Sequence, residues 1–113
     1  ERKIPLVGSA LWAAKRIVEA DNQTDFAFPR YNRNQLTTAN SASAALNKWL
    51  RQYVPSGCTM HSFRHSMRDR LRETQCPSDI TDQIGGWATN SVGQGYGSGY
   101  SLSVLQDWME KTV

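Results

Sequence analysis

The chain is poor in the residues that mark several large protein classes. It has two cysteines in 113 residues, Cys58 and Cys76. Two cannot make the dense disulfide framework of a small secreted scaffold, and they fit a reducing, intracellular setting. Four prolines and eight glycines, without a repeating period, exclude a collagen-like chain. No apolar run approaches the roughly 20 residues of a membrane span. Glu1-Arg2-Lys3 is followed by no apolar block, so no signal peptide is visible. Net charge is small: 13 Lys and Arg against 10 Asp and Glu leave +3, a slight tilt toward a polyanionic partner. Histidine is scarce too. His61 and His65, with Cys58 and Cys76, make the one set of zinc-ligand types. Their spacing is wrong for a finger or ribbon, because the two cysteines enclose both histidines instead of forming two short pairs. No metal is expected.

What is present suits one globular domain. Apolar residues make up 39% and charged residues 20%, enough to bury roughly two thirds of the unfolded surface at this length. Lys3-Ile4-Pro5-Leu6 reads as a short strand, with Pro5 marking its end or a sheet edge. Ser9 caps a helix running to Ala20, with Leu11, Ala14, Ile17 and Val18 at helical spacing. Residues 21 to 35 read as a loop in which Phe26 and Phe28 reach toward the core. A second helix starts at Thr37 or Thr38, firm from Ser41 to Val54, its apolar face Ala45, Leu46, Trp49, Leu50 and Tyr53. Trp12 and Trp49 are assigned to the core. Pro55-Ser56-Gly57 is a turn, and Thr59 caps a third helix from Met60 to Thr74 with Met60, Phe63, Met67 and Leu71 on one stripe. A short helix from Asp79 to Ile84 ends at Gly85-Gly86. Residues 88 to 100 are rich in Gly, Ser, Asn and Gln. A last helix, Ser101 to Lys111, places Leu102, Leu105, Trp108 and Met109 on its apolar side. The expected fold is mainly α, with about five helices and a strand remnant at the start.

The chemistry concentrates after residue 59. His61 and Arg64 stand three apart on a predicted helix and so share a face. A guanidinium beside an imidazole suits a phosphate, because Arg grips two oxygens in a fork and His donates or moves a proton. Trp87 follows Arg64 by 87 − 64 = 23 residues, and Tyr96 follows Trp87 by 96 − 87 = 9. Arg68 and Arg72 continue the Arg64 stripe. Solvation or pairing with Asp69 and Glu73 is their ordinary role, and contact with a DNA backbone the sharper one.

In that order and spacing, His61-Ser62-Phe63-Arg64, Ile84-Gly85-Gly86-Trp87 and Gly95-Tyr96-Gly97 resemble the tyrosine recombinase, or phage integrase, family. The resemblance covers the whole chain, and Arg2-Lys3-Ile4-Pro5-Leu6 looks like the family's last hairpin strand. It implies site-specific recombination and integration of double-stranded DNA. Tyr96 would be the nucleophile that forms a 3′-phosphotyrosine link. Arg64 would neutralise charge on the phosphate oxygens, and His61 would bond the same phosphate. Trp87 stands where many relatives carry His. The link conserves bond energy, so neither ATP nor a metal is needed. The resemblance also implies a cytoplasmic, DNA-associated enzyme that forms a homo-tetramer on its sites. The last helix of such proteins docks on a neighbouring protomer, and the stripe here suits docking in cis or in trans.

The family's other arginine, upstream, and its hairpin lysine have no counterpart here. Arg2 and Lys3 are out of place for either role, and Arg16 sits on the following helix. Residues 1–113 therefore read as the C-terminal part of a catalytic domain. Tyr100 is the rival nucleophile, disfavoured by its spacing from Trp87, and His65 points away from the phosphate face. A type IB topoisomerase would share the chemistry, but the compact spacing is closer to an integrase. The alternative from another class is a non-catalytic DNA-binding module that contacts phosphate through the His61–Arg64 helix. Residues 1–113 alone are predicted to form little or no covalent adduct with a suicide DNA substrate. Efficient adduct formation by that fragment overturns the assignment of a partial active site.

Overall fold

The computed structural model describes residues 2–20, 24–33, 36–87 and 99–113. Five α-helices dominate them, so the mainly α expectation holds: α1 Gly8–Glu19, α2 Ala39–Leu50, α3 Ser62–Glu73, α4 Ser78–Gly85 and α5 Leu102–Glu110. Between α1 and α2 lie a 3₁₀ turn, Pro29–Tyr31, and two short strands, β1 Asn32–Arg33 and β2 Leu36–Thr37, paired antiparallel with Asn32 opposite Thr37. No helix among the described residues is long and apolar enough to cross a membrane. The chain divides into two compact units, Glu1–Trp12 with Arg64–Val113, and Ala13–Phe63.

The first unit holds the core. Val7, Leu71, Ile80, Ile84, Leu105 and Met109 are buried together, with Ile4, Met67, Cys76, Val104 and Trp108 packed against them. Leu71 is fully buried; removing such a side chain from water is worth roughly 1.5–3 kcal/mol. The four-residue rhythm from Met67 to Leu71 on α3 meets Ile80 and Ile84 on α4 and Leu105 and Met109 on α5, each pair one helical turn apart. The last helix thus docks in cis, on the core of its own unit. The helix expected to start at Ser101 starts at Leu102, and Ser101 is its N-cap, its hydroxyl accepting from the Val104 amide.

Turns of left-handed backbone close α3 and α4. At the end of α3, Gln75 takes φ +60, the Cys76 amide donates to the Leu71 carbonyl at 2.9 Å, and the Gln75 amide to Arg72 at 2.9 Å. This is the Schellman pattern, with its usual apolar contact between Cys76 and the start of the motif. Burial there raises the Cys76 thiol above its ordinary pKa. The Thr81 hydroxyl eases ionisation slightly without reaching hydrogen-bonding geometry, and Asp79 opposes it.

The N-terminal segment departs from expectation. Residues 2–7 form no strand, because a strand requires a hydrogen-bonded neighbour and the described residues offer none. The segment instead inserts Val7 into the core as irregular chain, with Ile4 beside it. The expected strand and the observed β-ribbon therefore fall in different places, the ribbon at the end of a stretch read as loop.

The second unit is built by local hydrogen bonds more than by burial. The Thr38 amide and hydroxyl both donate to the Tyr31 carbonyl, at 2.8 and 3.1 Å. The Asn32 side chain reaches the Phe28 carbonyl, and Thr37 donates to Asn32 Oδ1. Asn47 Oδ1 accepts the Met60 amide at 2.7 Å, tying the segment after α2 back to that helix. Pro55-Ser56-Gly57 turns as predicted, with Gly57 at φ +91 and the Cys58 amide on the Pro55 carbonyl. Of the apolar face predicted for α2, only Leu50 is buried. Trp49 is 54% and Tyr53 67% exposed, their rings meeting at 4.9 Å. Trp12, at 63%, is no core residue either, and Phe26, Phe28 and Phe63 are exposed. The periodicity of α2 is real, but no described element covers its stripe.

Replacing Leu71 by Ala is expected to destabilise the fold by about 3 kcal/mol. Val18→Ala, at an exposed position, is expected to change it by less than about 0.5 kcal/mol. Urea denaturation of the two variants checks the contrast, and equal effects would contradict this core.

Candidate functional site

Helix α4 ends where the sequence predicts, and its ending positions Trp87. Gly86 sits in the left-handed region at φ +62, a conformation costing other L-residues roughly 1–2 kcal/mol. The Gly86 amide donates to the Asp82 carbonyl, and so does the Trp87 amide, at 3.0 Å. The chain reverses there, and the indole folds back over Gly85 and occupies the space where a Cβ would stand. Gly85 thus makes room for the ring, and Gly86 makes the turn that delivers it.

The indole meets two arginines from α3. The Arg64 guanidinium carbon lies 4.5 Å from the centre of the Trp87 ring system, and that of Arg68 lies 5.1 Å away. Residues four apart on a helix share a face, so both reach one ring. Cation–π contacts of this kind contribute roughly 0.5–1 kcal/mol when exposed and more when desolvated. All three residues are half-buried. The Arg68 Nε is buried without a hydrogen-bond partner among the described residues. A third guanidinium comes from the N-terminal segment: Arg2 lies over Gly86, where a side chain at that position would collide with it.

Among the described residues, Arg2, Arg64 and Arg68 are in no ion pair; the one salt bridge there joins Arg72 to Asp69 at 3.5 Å on the exposed side of α3. Guanidiniums gathered without carboxylates favour an anion, and their planar donor forks match phosphate oxygens. Arg72 takes the ordinary role open to it, and its exposed pair is worth little.

The remaining predicted residues are distributed differently. His61 stands in a turn just before α3, not on the helix, and is exposed. That turn is tightened by the Ser62 amide on the Thr59 carbonyl, while the Ser62 hydroxyl accepts the Thr59 amide at 3.0 Å, half of a capping box. Thr59, expected to cap a helix from Met60, instead opens this turn, and α3 begins three residues later at Ser62. Tyr96 lies outside the described residues. Among the described residues, no three His, Cys, Asp or Glu side chains gather as metal ligands.

Tyr100 makes contacts that sequence reasoning missed. Its hydroxyl donates to Asp79 Oδ2, its amide donates to Gln83 Oε1 at 2.8 Å, and its carbonyl accepts from Gln83 Nε2 at 3.0 Å. The bond from Tyr100 holds the Asp79 carboxyl below its usual range, and the same bond raises the phenol. Asp79 and Gln83 are four apart on α4, which was the available signal. Arg2 left no signal, because only the crossing of the N-terminal segment brings it to Gly86.

Comparison with protein-family models, curated proteins and solved structures finds no match to this chain. A methyl group at residue 85 must displace the indole. Gly85→Ala is therefore expected to shift the Trp87 indole N–H peak in a ¹⁵N–¹H spectrum while leaving those of Trp12 and Trp49 in place. An unmoved Trp87 peak would count against the packing described.

Proposed function

We propose that this chain carries part of the active site of a tyrosine-type site-specific recombinase, acting on double-stranded DNA. The observation that supports this reading best is the stacking of Arg64 on Trp87. Two residues 23 apart in sequence meet at 4.5 Å in a cluster of unneutralised guanidiniums, at the spacing the family motif requires. In the proposed reaction the Tyr96 hydroxyl attacks a phosphodiester. Its oxygen bonds to phosphorus, the bond to the 5′ oxygen breaks, and the departing 5′ oxygen takes up a proton. The phenol has an ordinary pKa near 10 and must shed its own proton during attack. Arg64 offers its fork to the non-bridging oxygens as their charge grows. His61 is assigned a hydrogen bond to the same phosphate and help in proton transfer. The Trp87 indole N–H donates but cannot shuttle protons. Attack by a 5′ hydroxyl on the phosphotyrosine reverses the step, so rejoining consumes no external energy.

Arg68 and Arg72 are assigned to the DNA backbone. Arg68 has the stronger support, since it shares the Trp87 ring with Arg64 and lacks an acidic partner among the described residues. The Tyr100 hydroxyl donates to Asp79, a bond that raises its pKa, and its spacing from Trp87 disfavours it as the nucleophile. Assembly as a tetramer on DNA belongs to the same proposal.

The test uses the intact protein and a pool of nicked duplexes of randomised sequence, in which loss of the short cleaved end traps the adduct. A phosphotyrosyl peptide containing Tyr96 is expected by mass spectrometry. Tyr96→Phe should abolish the adduct with DNA affinity retained. Arg64→Ala should lower its rate by a factor on the order of 100–1000, as for loss of one donor to a charged transition state. DNA binding without any adduct would replace this reading with a non-catalytic DNA-binding module.

A further inference from the structure

The Arg2 guanidinium lies over Gly86, in the space where a Cβ at that position would stand. The preceding glycine, Gly85, carries the Trp87 indole in the same way. Cα atoms of adjacent residues are about 3.8 Å apart, so the guanidinium and the indole occupy consecutive positions of one turn. The indole in turn holds the Arg64 and Arg68 guanidiniums at 4.5 and 5.1 Å from its ring. All four residues belong to the first unit. The N-terminal segment thus brings a third positive charge to the end of α4.

Two features of that end suit a cation. The carbonyl terminus of a helix carries partial negative charge, and α4 ends at Gly85. Gly86 has no side chain to keep a guanidinium away. Neither feature uses the hydrogen-bonding capacity of Arg2. A guanidinium has five N–H donors, and among the described residues that of Arg2 forms no ion pair and no hydrogen bond. The residue is exposed, so its donors face water. Three guanidiniums brought together repel one another until an anion stands among them.

We infer that Arg2 is a DNA-binding residue of this site, adding a third guanidinium to the phosphate contacts assigned to Arg64 and Arg68. Its ligand is a phosphodiester of the duplex backbone, met by charge and paired N–H donors and therefore without regard to base sequence. The inference rests on the reading that the Arg64–Arg68–Trp87 cluster meets DNA phosphate. It needs no covalent step, so it applies equally to a recombinase and to a non-catalytic DNA-binding module.

Such a contact is read from salt dependence. Each phosphate neutralised on duplex DNA adds about 0.9 to the slope of log affinity against log salt. The experiment titrates the intact protein with an unnicked duplex of fixed sequence, by fluorescence anisotropy, from about 50 to about 200 mM NaCl. Thermal midpoints are measured alongside. Arg2→Ala should flatten the slope by about 0.9, so its affinity deficit shrinks about 3.5-fold across that range. Arg2→Lys keeps the charge and should restore the slope. Gly86→Asn tests the placement: asparagine tolerates the left-handed turn, while its side chain displaces the Arg2 guanidinium, and the slope should flatten as in Arg2→Ala. Arg70→Ala removes the same charge from a residue that donates to the Thr112 carbonyl at 3.3 Å, and should leave the slope unchanged. A full slope in Arg2→Ala, with that of Arg64→Ala flattened, would overturn the inference and leave the DNA role of the cluster standing. A lowered thermal midpoint would then make Arg2 a cap of α4 alone. Equal flattening in Arg70→Ala would also overturn it, since net charge and not contact would be the cause. A full slope in Gly86→Asn would overturn the placement described. No DNA binding by the wild-type protein would remove the DNA reading itself, and the role of Arg2 with it.

Discussion

Burial of Leu71 organises the first unit, and the site depends on it. Its side chain has no exposed surface and lies with Ile80 and Ile84 of α4 and Leu105 and Met109 of α5. Its carbonyl also takes the Cys76 amide, so one residue both anchors α3 in the core and closes the helix that carries Arg64 and Arg68. With α3 and α4 held on one core, the end of α4 falls beside the arginine face of α3. Without that burial, nothing in the local sequence would bring residue 87 to residues 64 and 68.

The second constraint is steric. Trp87 reaches the arginines because Gly86 can turn left-handed and Gly85 leaves room for a ring. Each glycine meets a different requirement, one of backbone torsion and one of volume. The result is an aromatic platform carrying two guanidiniums, with a third over the adjacent backbone and no carboxylate to neutralise them among the described residues. Electrostatically this favours an anion. A modest net charge of +3 conceals such a cluster, because charge summed along a chain says nothing of where it gathers.

The second unit follows other rules. Leu46 and Trp49 on α2, and Tyr53 in the turn after it, are left exposed, while asparagine and threonine side chains hold the turns around them. Helical periodicity is written in sequence, but burial requires a second surface. That is why the pattern of α2 predicted a helix correctly and a core incorrectly. The N-terminal residues make the same point for strands. Ile4-Pro5-Leu6 has strand-like composition, yet no described neighbour offers the hydrogen bonds that would make it one.

Local physics was legible in the residues themselves. Helical spacing, the turn at Pro55-Ser56-Gly57 and the stop at Gly85-Gly86 each depend on residues within a few positions of one another. Motif spacing singled out Arg64 and Trp87, but not that the guanidinium would lie on the indole. Three features were decided only when the chain packed: which apolar stripe became core, the arrival of Arg2 over Gly86, and the contacts joining Tyr100 to Asp79 and Gln83. The last two join segments 17 or more residues apart. Such contacts form where burial of the core places two backbones side by side, and a one-dimensional pattern carries no record of that proximity.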